Sequence, residues 1–416
     1  MNPRTLLPAF SLSACLAMSA SLAGAAETKG HWITSWAASP LPASPAAGPT
    51  PATPSFSNQT IRQTVRISAG GGQLRLRLTN EYGAKALKIG AATVALLQAD
   101  GTTGPAVPVN FAGGRSTLIP AGAPLLSDAV ALKVAPLSQL VISLYLPEDT
   151  GPCTCHSVGA QDAQISDSGD FTATAFTPKQ TAQYRAFLSG VEVDSPKGRT
   201  IVTFGDSITD GVGSTANKNR RWPDQFIERL HAKGGTTWAI ANQGISGNRV
   251  LDGGAGDSAL ARFDRDVIGQ AGVTHVVIFE GVNDLGISFG NPQGAMAERF
   301  KAMQPKEKAT AERLIAGYRQ LIARAHAHGI KVIGATIAPY EGATYWSPEG
   351  EAQRQKVNAW IRTGGEVDGV IDFDAAIRDP AKPSQLKDGL HMGDHLHGSD
   401  AGYAAMAQAI DLGLFR

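Results

Sequence analysis

Residues 200–211 read Thr-Ile-Val-Thr-Phe-Gly-Asp-Ser-Ile-Thr-Asp-Gly. The first five are a short apolar, β-branched run that stops at a glycine, and the polar residues after it are turn and helix-start types. This predicts a strand followed at once by a tight turn into a helix. Downstream the pattern repeats. Arg221 to about Ala232 has Trp222, Phe226 and Leu230 at helical spacing. Apolar strand-like runs recur at Trp238-Ala-Ile-Ala-Asn, Thr274-His-Val-Val-Ile-Phe, Ile330-Lys-Val-Ile-Gly-Ala-Thr-Ile and Gly369-Val-Ile-Asp-Phe. Helical stretches run from Glu307 to about His328 and from Asp400 to about Leu412. Strands alternating with helices give a parallel sheet covered on both faces. In such sheets reactive groups gather beyond the carboxyl ends of the strands.

The first strand end carries Ser207. Serine is a weak nucleophile and needs exposure and a base; the milder reading is a helix cap. The second strand ends in Asn242-Gln243-Gly244-Ile245-Ser246-Gly247-Asn248, and the third in Glu280-Gly281-Val282-Asn283-Asp284. Near the chain end lies Asp394-His395-Leu396-His397-Gly398-Ser399-Asp400-Ala401-Gly402-Tyr403.

In order and at the right strand ends, these four stretches resemble the four sequence blocks of the SGNH hydrolase superfamily, the GDSL esterases, over residues 199–416. The resemblance implies an α/β, flavodoxin-like three-layer sandwich of helices around about five parallel strands. It makes Ser207 the nucleophile and its N–H an oxyanion donor. It selects Gly247, five residues after Asn242, over Gly244 as a second donor, and gives the Asn283 side-chain amide the third place. Without the resemblance, Gly247 reads as a turn residue and Asn283 as an Asx turn.

The last block is ambiguous, because Asp-x-x-His occurs twice. Asp388-Gly-Leu-His391 has the commoner interior. Asp394-His-Leu-His397 has the better exterior, since a polar turn and a helix cap at Ser399 or Asp400 follow it. Distance to that helix favours Asp394 and His397 and makes His391 and His395 loop or pocket residues; an insertion after Asp388 would reverse the choice. In the implied chemistry His397, oriented by Asp394, takes the Ser207 proton as the oxygen attacks an ester, and water then releases the acyl-enzyme. Asp and His three apart do not meet along an ideal helix, so a loop is expected. No metal or organic cofactor is implied. Asp206 and Asp284 read as loop holders, bonded to backbone N–H groups.

Residues before about 195 are patterned differently. Gln63-Thr-Val-Arg-Ile-Ser and Gln73-Leu-Arg-Leu-Arg-Leu alternate polar with apolar, and Gly70-Gly71-Gly72 between them suggests a hairpin. Leu87-Lys-Ile, Thr93-Val-Ala-Leu-Leu, Ala129-Val-Ala-Leu-Lys-Val and Leu140-Val-Ile-Ser-Leu-Tyr-Leu are further strand candidates. Together they predict a β-sandwich. The expected layout is a signal peptide over 1–26, a β-sandwich over 27–195 and the hydrolase over 196–416, with a Pro-rich loop from Pro40 to Pro54. The layout, with Trp32-Ile-Thr-Ser-Trp-Ala-Ala-Ser-Pro and Arg77-Leu-Thr-Asn-Glu-Tyr-Gly, resembles the branch that includes bacterial acetylxylan esterases. That resemblance implies acetyl or other short acyl groups on carbohydrate. A lipase, aryl esterase, thioesterase or acyltransferase on the same machinery is an alternative, as is a carbohydrate-binding protein with secondary hydrolase activity.

Arg4, an apolar Leu- and Ala-rich stretch and Ala23-Gly24-Ala25-Ala26 form the pattern of a secretory signal peptide. Export to the periplasm or medium is the expectation, with no membrane span. Leu12-Ser13-Ala14-Cys15 leaves open a lipid tether at Cys15. Lys plus Arg number 37 against 36 Asp plus Glu, without a long basic stripe, which argues against nucleic acid as a partner. Beyond the signal, the cysteines are Cys153 and Cys155, followed by His156. In an oxidising compartment they read as a small disulfide loop; a metal site or free thiols are the alternatives.

Overall fold

Strand Arg199–Gly205 sits second in a five-stranded sheet whose order is Trp238–Gly244, Arg199–Gly205, Val273–Phe279, Lys331–Ala335, Gly369–Ile371. Every pairing is parallel. The computed structural model describes residues 30–46, 52–293 and 295–416; the signal segment, Cys15 and part of the Pro40–Pro54 loop lie outside them. The chain leaves the first strand to one side and returns on the other, so a crevice opens beyond the carboxyl ends of Arg199–Gly205 and Val273–Phe279. Ile201, Val202, Phe204, Val276, Val277 and Ile278 are buried there, as expected of strands covered on both faces. The helices fall into two packed groups. Trp222–Ala232 rests on Asp400–Ala409, and Ala311–Ala327 rests on Pro348–Thr363 and Ala259–Phe263.

Local chemistry sets the ends of several elements. The helix expected from Glu307 begins at Ala311, because the Thr310 hydroxyl caps it by accepting from Arg313 N–H. The last strand stops at Ile371, because Asp372 caps the helix Phe373–Ile377. The closing helix ends at Ala409, and a 3₁₀ turn, Leu412–Phe415, follows. Among the described residues no helix is long and apolar enough to cross a membrane.

Among the described residues the amino-terminal half forms two large antiparallel sheets over one hydrophobic cluster, with two-stranded pairs Leu87–Ile89/Thr117–Ile119 and Cys155–His156/Arg185–Ala186 beside them. One has the order Trp32–Ala37, Leu188–Asp194, Leu74–Thr79, Pro124–Leu126; the other runs Gln180–Ala182, Ala163–Ser168, Gln59–Arg66, Gln139–Leu146, Ala91–Leu96, Val107–Val109. The expected hairpin around Gly70–Gly72 is not formed. Gln59–Arg66 pairs with Gln139–Leu146 and Ala163–Ser168, whereas Leu74–Thr79 pairs with Leu188–Asp194 and Pro124–Leu126. The alternation reported one buried face on each strand, and the two faces meet across the core instead of lying side by side. Ala129–Val134 contributes only isolated bridges, Leu74 with Val130 and Gly71 with Val134, in place of the expected strand.

His31–Arg416 form one compact unit. Strand Trp238–Gly244 is the edge of the parallel sheet, and the amino-terminal half covers it. The Ser68 hydroxyl accepts from Ile240 N–H at 2.8 Å and lies 3.2 Å from the Ile240 carbonyl. Thr34 N–H donates to the Ala271 carbonyl, and the Thr34 hydroxyl accepts from Ala271 N–H. At Ile240 the backbone of the edge strand is thereby paired, and the Thr34 bonds tie the amino-terminal half to the loop before Val273–Phe279.

Candidate active site

Ser207 opens the single helical turn Ser207–Asp210, directly after the buried strand. The Asp206 carboxylate caps that turn by accepting from Ile208 N–H. His397 Nε2 lies 2.8 Å from Ser207 Oγ, and His397 Nδ1 lies 2.6 Å from Asp394 Oδ2. The structure thus brings Ser207, His397 and Asp394 into one hydrogen-bonded line. Residues 391–398 are a bent loop closed by a bridge between His391 and Gly398, which lets residues three apart meet. Asp394 Oδ1 accepts from Leu396 and His397 N–H. Partial burial pushes the Asp394 carboxyl up, but the His397 ring and these N–H groups outweigh it and hold it below the usual range.

His391 is elsewhere. Its Nδ1 accepts from Gly393 N–H and His395 N–H, its Nε2 is 4.0 Å from a fully exposed Asp388, and its ring centroid lies 4.4 Å from that of His395. The first Asp-x-x-His copy therefore organises the loop that carries the second.

The second and third blocks flank the serine. Gly247 has φ +82°, where a side chain is strained. Gly244 packs so that an added Cβ would lie 2.2 Å from Asp210 N, which makes it a spacer. Among the described residues neither Ser207 N–H nor Gly247 N–H has a hydrogen-bond acceptor. Asn283 stands in the first turn of Val282–Phe289. Its amide donates one hydrogen to the Asn248 carbonyl at 3.0 Å, and its Oδ1 accepts from the Tyr345 hydroxyl at 3.2 Å. The second amide hydrogen remains free. Asp284 holds the neighbouring loop, accepting from Val250 and Leu251 N–H.

Cys153 and Cys155 are disulfide-bonded, and His156 turns to Asp210, 2.9 Å from its Oδ1. No group of three or more His, Cys, Asp or Glu among the described residues is arranged to hold a metal ion. Sequence reasoning did not find Tyr345, Ser246 or Arg262. Tyr345 lies in a loop without a motif. Arg262 is fully buried; it donates to the Gly205 and Gln243 carbonyls and to Asn248 Oδ1, and pairs with Asp266.

Beneath the serine three buried carboxyls gather. Burial, partly offset by the bond from Ile208 and reinforced by Asp284, pushes Asp206 up to about 7. Burial also pushes Asp284 up to about 7 and Glu280 well above its ordinary value. Such groups keep protons in the folded state that the unfolded chain has released. Their contribution to stability is complete below the ordinary carboxyl range and is lost as pH rises toward 7. Glu280→Gln should therefore flatten the pH dependence of unfolding free energy between pH 5 and 7, by up to about 1.4 kcal/mol per pH unit. Urea unfolding at three pH values measures it, and an unchanged slope would contradict the assignment.

A flavodoxin-like parallel sheet with a serine, a histidine and free N–H donors at its switch point is the architecture of a serine hydrolase. Residues 203–405 match the GDSL-like Lipase/Acylhydrolase family. These residues are a GDSL-like lipase/acylhydrolase domain of the SGNH type, and the protein is a carboxylic ester hydrolase. Similar solved structures include an acetyl xylan esterase from Geobacillus stearothermophilus, with 23% identity, 52% of this chain and 94% of that chain covered and a TM-score of 0.39. A lipase/acylhydrolase from Enterococcus faecalis is 21% identical, with 51% and 92% covered and a TM-score of 0.37. A GDSL-like lipase from Bacteroides thetaiotaomicron VPI-5482 is 19% identical, with 53% and 89% covered and a TM-score of 0.36. No protein of curated function matches the chain.

Proposed function

We propose that the protein is an exported serine esterase that removes short acyl groups, acetyl foremost, from carbohydrate. The observation that carries the mechanism is the line Asp394–His397–Ser207, with contacts of 2.6 Å and 2.8 Å, beside the free N–H of Gly247 and the amide of Asn283. As Ser207 Oγ bonds to the ester carbonyl carbon, its proton passes to His397 Nε2. The carbonyl oxygen gains the negative charge and is met by Ser207 N–H, Gly247 N–H and Asn283 Nδ2. Collapse expels the alcohol, which takes the proton from His397. Water, deprotonated by the same ring, then cleaves the acyl-enzyme. Asp394 stays ionised, holds the ring's orientation and stabilises its cation.

The short-acyl assignment rests on the amino-terminal segments that resemble acetylxylan esterases. Those segments do architectural work here. Ser39 lies at Gln243 and Arg262 behind the second block, and the Tyr82 hydroxyl meets Asp257 and Arg265. The export assignment rests on the pattern of residues 1–26.

Treatment with diethyl 4-nitrophenyl phosphate should place one phosphoryl adduct on the peptide containing Ser207 and abolish activity. The enzyme should also prefer acetate to octanoate esters and release acetate from acetylated xylooligosaccharides. An adduct on another residue would overturn the mechanism, and a preference for octanoate would overturn the substrate class.

A further inference from the structure

Behind the oxyanion loop one carboxylate is shared between the two halves of the chain. Asp210 ends the turn that Ser207 begins. Its Oδ2 accepts from both Ser246 N–H, at 3.0 Å, and the Ser246 hydroxyl, at 2.7 Å. Ser246 is the residue before Gly247. The other oxygen, Oδ1, lies 2.9 Å from His156 Nε2, and His156 belongs to the strand-rich half. His156 Nδ1 in turn lies 2.9 Å from the Ser39 carbonyl. That carbonyl only accepts, so Nδ1 carries a hydrogen, and a single proton bridges Nε2 and Oδ1. Both ring nitrogens are thus committed, and the ring has one orientation. His156 and Asp210 are 5% and 1% exposed, so water does not substitute for either partner.

The backbone that presents His156 is itself fixed. Cys155–His156 pairs with Arg185–Ala186, Cys155 is disulfide-bonded to Cys153, and the buried Arg185 guanidinium donates to the Gln161 and Gly159 carbonyls. The result is a continuous line of hydrogen bonds, Ser39–His156–Asp210–Ser246, buried as far as Asp210 and part-buried at Ser246, ending one residue short of Gly247.

We infer that His156 is a positioning residue for ester hydrolysis: it holds Asp210 so that Ser246 presents the Gly247 N–H to the developing oxyanion. The inference rests on the reading of Ser207 and Gly247 above. Oxyanion donors act only at about 2.7–3.1 Å from where the charge forms, so a small shift of the loop lowers turnover without altering the chemical groups. The strand-rich half then supplies part of the catalytic geometry, beyond bracing the sheet edge.

The test compares His156→Ala, His156→Gln and Ser246→Ala in the full chain, with Ser207→Ala alongside. With 4-nitrophenyl acetate, well below each variant's Tm, His156→Ala should lose about tenfold to a hundredfold in kcat with KM little changed. The inhibition constant of phenylboronic acid, which mimics the tetrahedral state on Ser207, should rise by a similar factor. His156→Gln, whose amide still reaches Asp210, should recover much of the loss. His156→Ala/Ser246→Ala should be no worse than the worse single variant, because both act through one carboxylate. If His156→Ala does not fold, His156→Asn, too short to reach Asp210, takes its place. Unchanged kcat and boronate affinity, or losses that multiply in the double variant, would overturn the inference. An active Ser207→Ala would instead remove the mechanism beneath it.

Discussion

Ser207→Ala should lower turnover of 4-nitrophenyl acetate by about 10⁴- to 10⁶-fold, and His397→Ala by a comparable factor. The two residues act as one unit. Without the base, the Ser207 hydroxyl keeps its proton at neutral pH; without the hydroxyl, the base has nothing to activate. Removing both should therefore be little worse than removing either, as effects on a shared step do not add. The residue of activity should come from oxyanion donors and binding alone, about 10³–10⁴-fold over water. His391→Ala is the informative contrast. Its ring accepts two backbone N–H groups of the catalytic loop but its Nε2 faces an exposed Asp388 at 4.0 Å. Loss of those bonds loosens the loop and should lower the Tm while leaving the enzyme clearly active. A dead His391→Ala beside an active His397→Ala would transfer the base to the other Asp-x-x-His copy.

What the chain reveals before folding depends on the range of the interaction. The parallel sheet was legible because its strands are buried on both faces, and unbroken apolar runs such as Thr200–Phe204 are a local signature. The four blocks were legible because three are turns at strand ends and the fourth is the loop before the closing helix, and their residues serve the backbone nearby. Asp206 and Asp284 bond to N–H groups as expected of them. Strand partnership is not local. The period of Gln63–Ser68 and Gln73–Leu78 gives a buried face and leaves the choice of neighbour to the sandwich, which separated them. The helix Pro348–Thr363 did carry local signals, a Ser347 cap and Pro348 in its first turn, and went unread. Tyr345 and His156 reach the site from loops and from the other half, and nothing adjacent to them in sequence states their partners.

Asn283→Ala should lower kcat by about 10²- to 10³-fold with KM little changed, because its free amide hydrogen is used only when the oxyanion forms. The side chain is buried and its orientation is decided from both ends. The Asn248 carbonyl takes one amide hydrogen, and the Tyr345 hydroxyl donates to Oδ1. An inverted amide would set its oxygen against the Asn248 carbonyl and lose that contact, so the remaining N–H is directed before substrate arrives. Asn283→Asp keeps the shape but puts acceptors where donors stood, and it should be at least as damaging as alanine. Tyr345→Phe removes only the orienting bond and should cost less than either. The variants also lose stability, about 1–3 kcal/mol for each buried partner left unsatisfied, so turnover must be compared where urea titration shows each protein fully folded. Under those conditions a purely structural asparagine predicts a lowered denaturation midpoint with normal kcat. An oxyanion donor predicts the loss of kcat in the folded enzyme, together with weaker binding of a boronic acid and unchanged binding of the product acid.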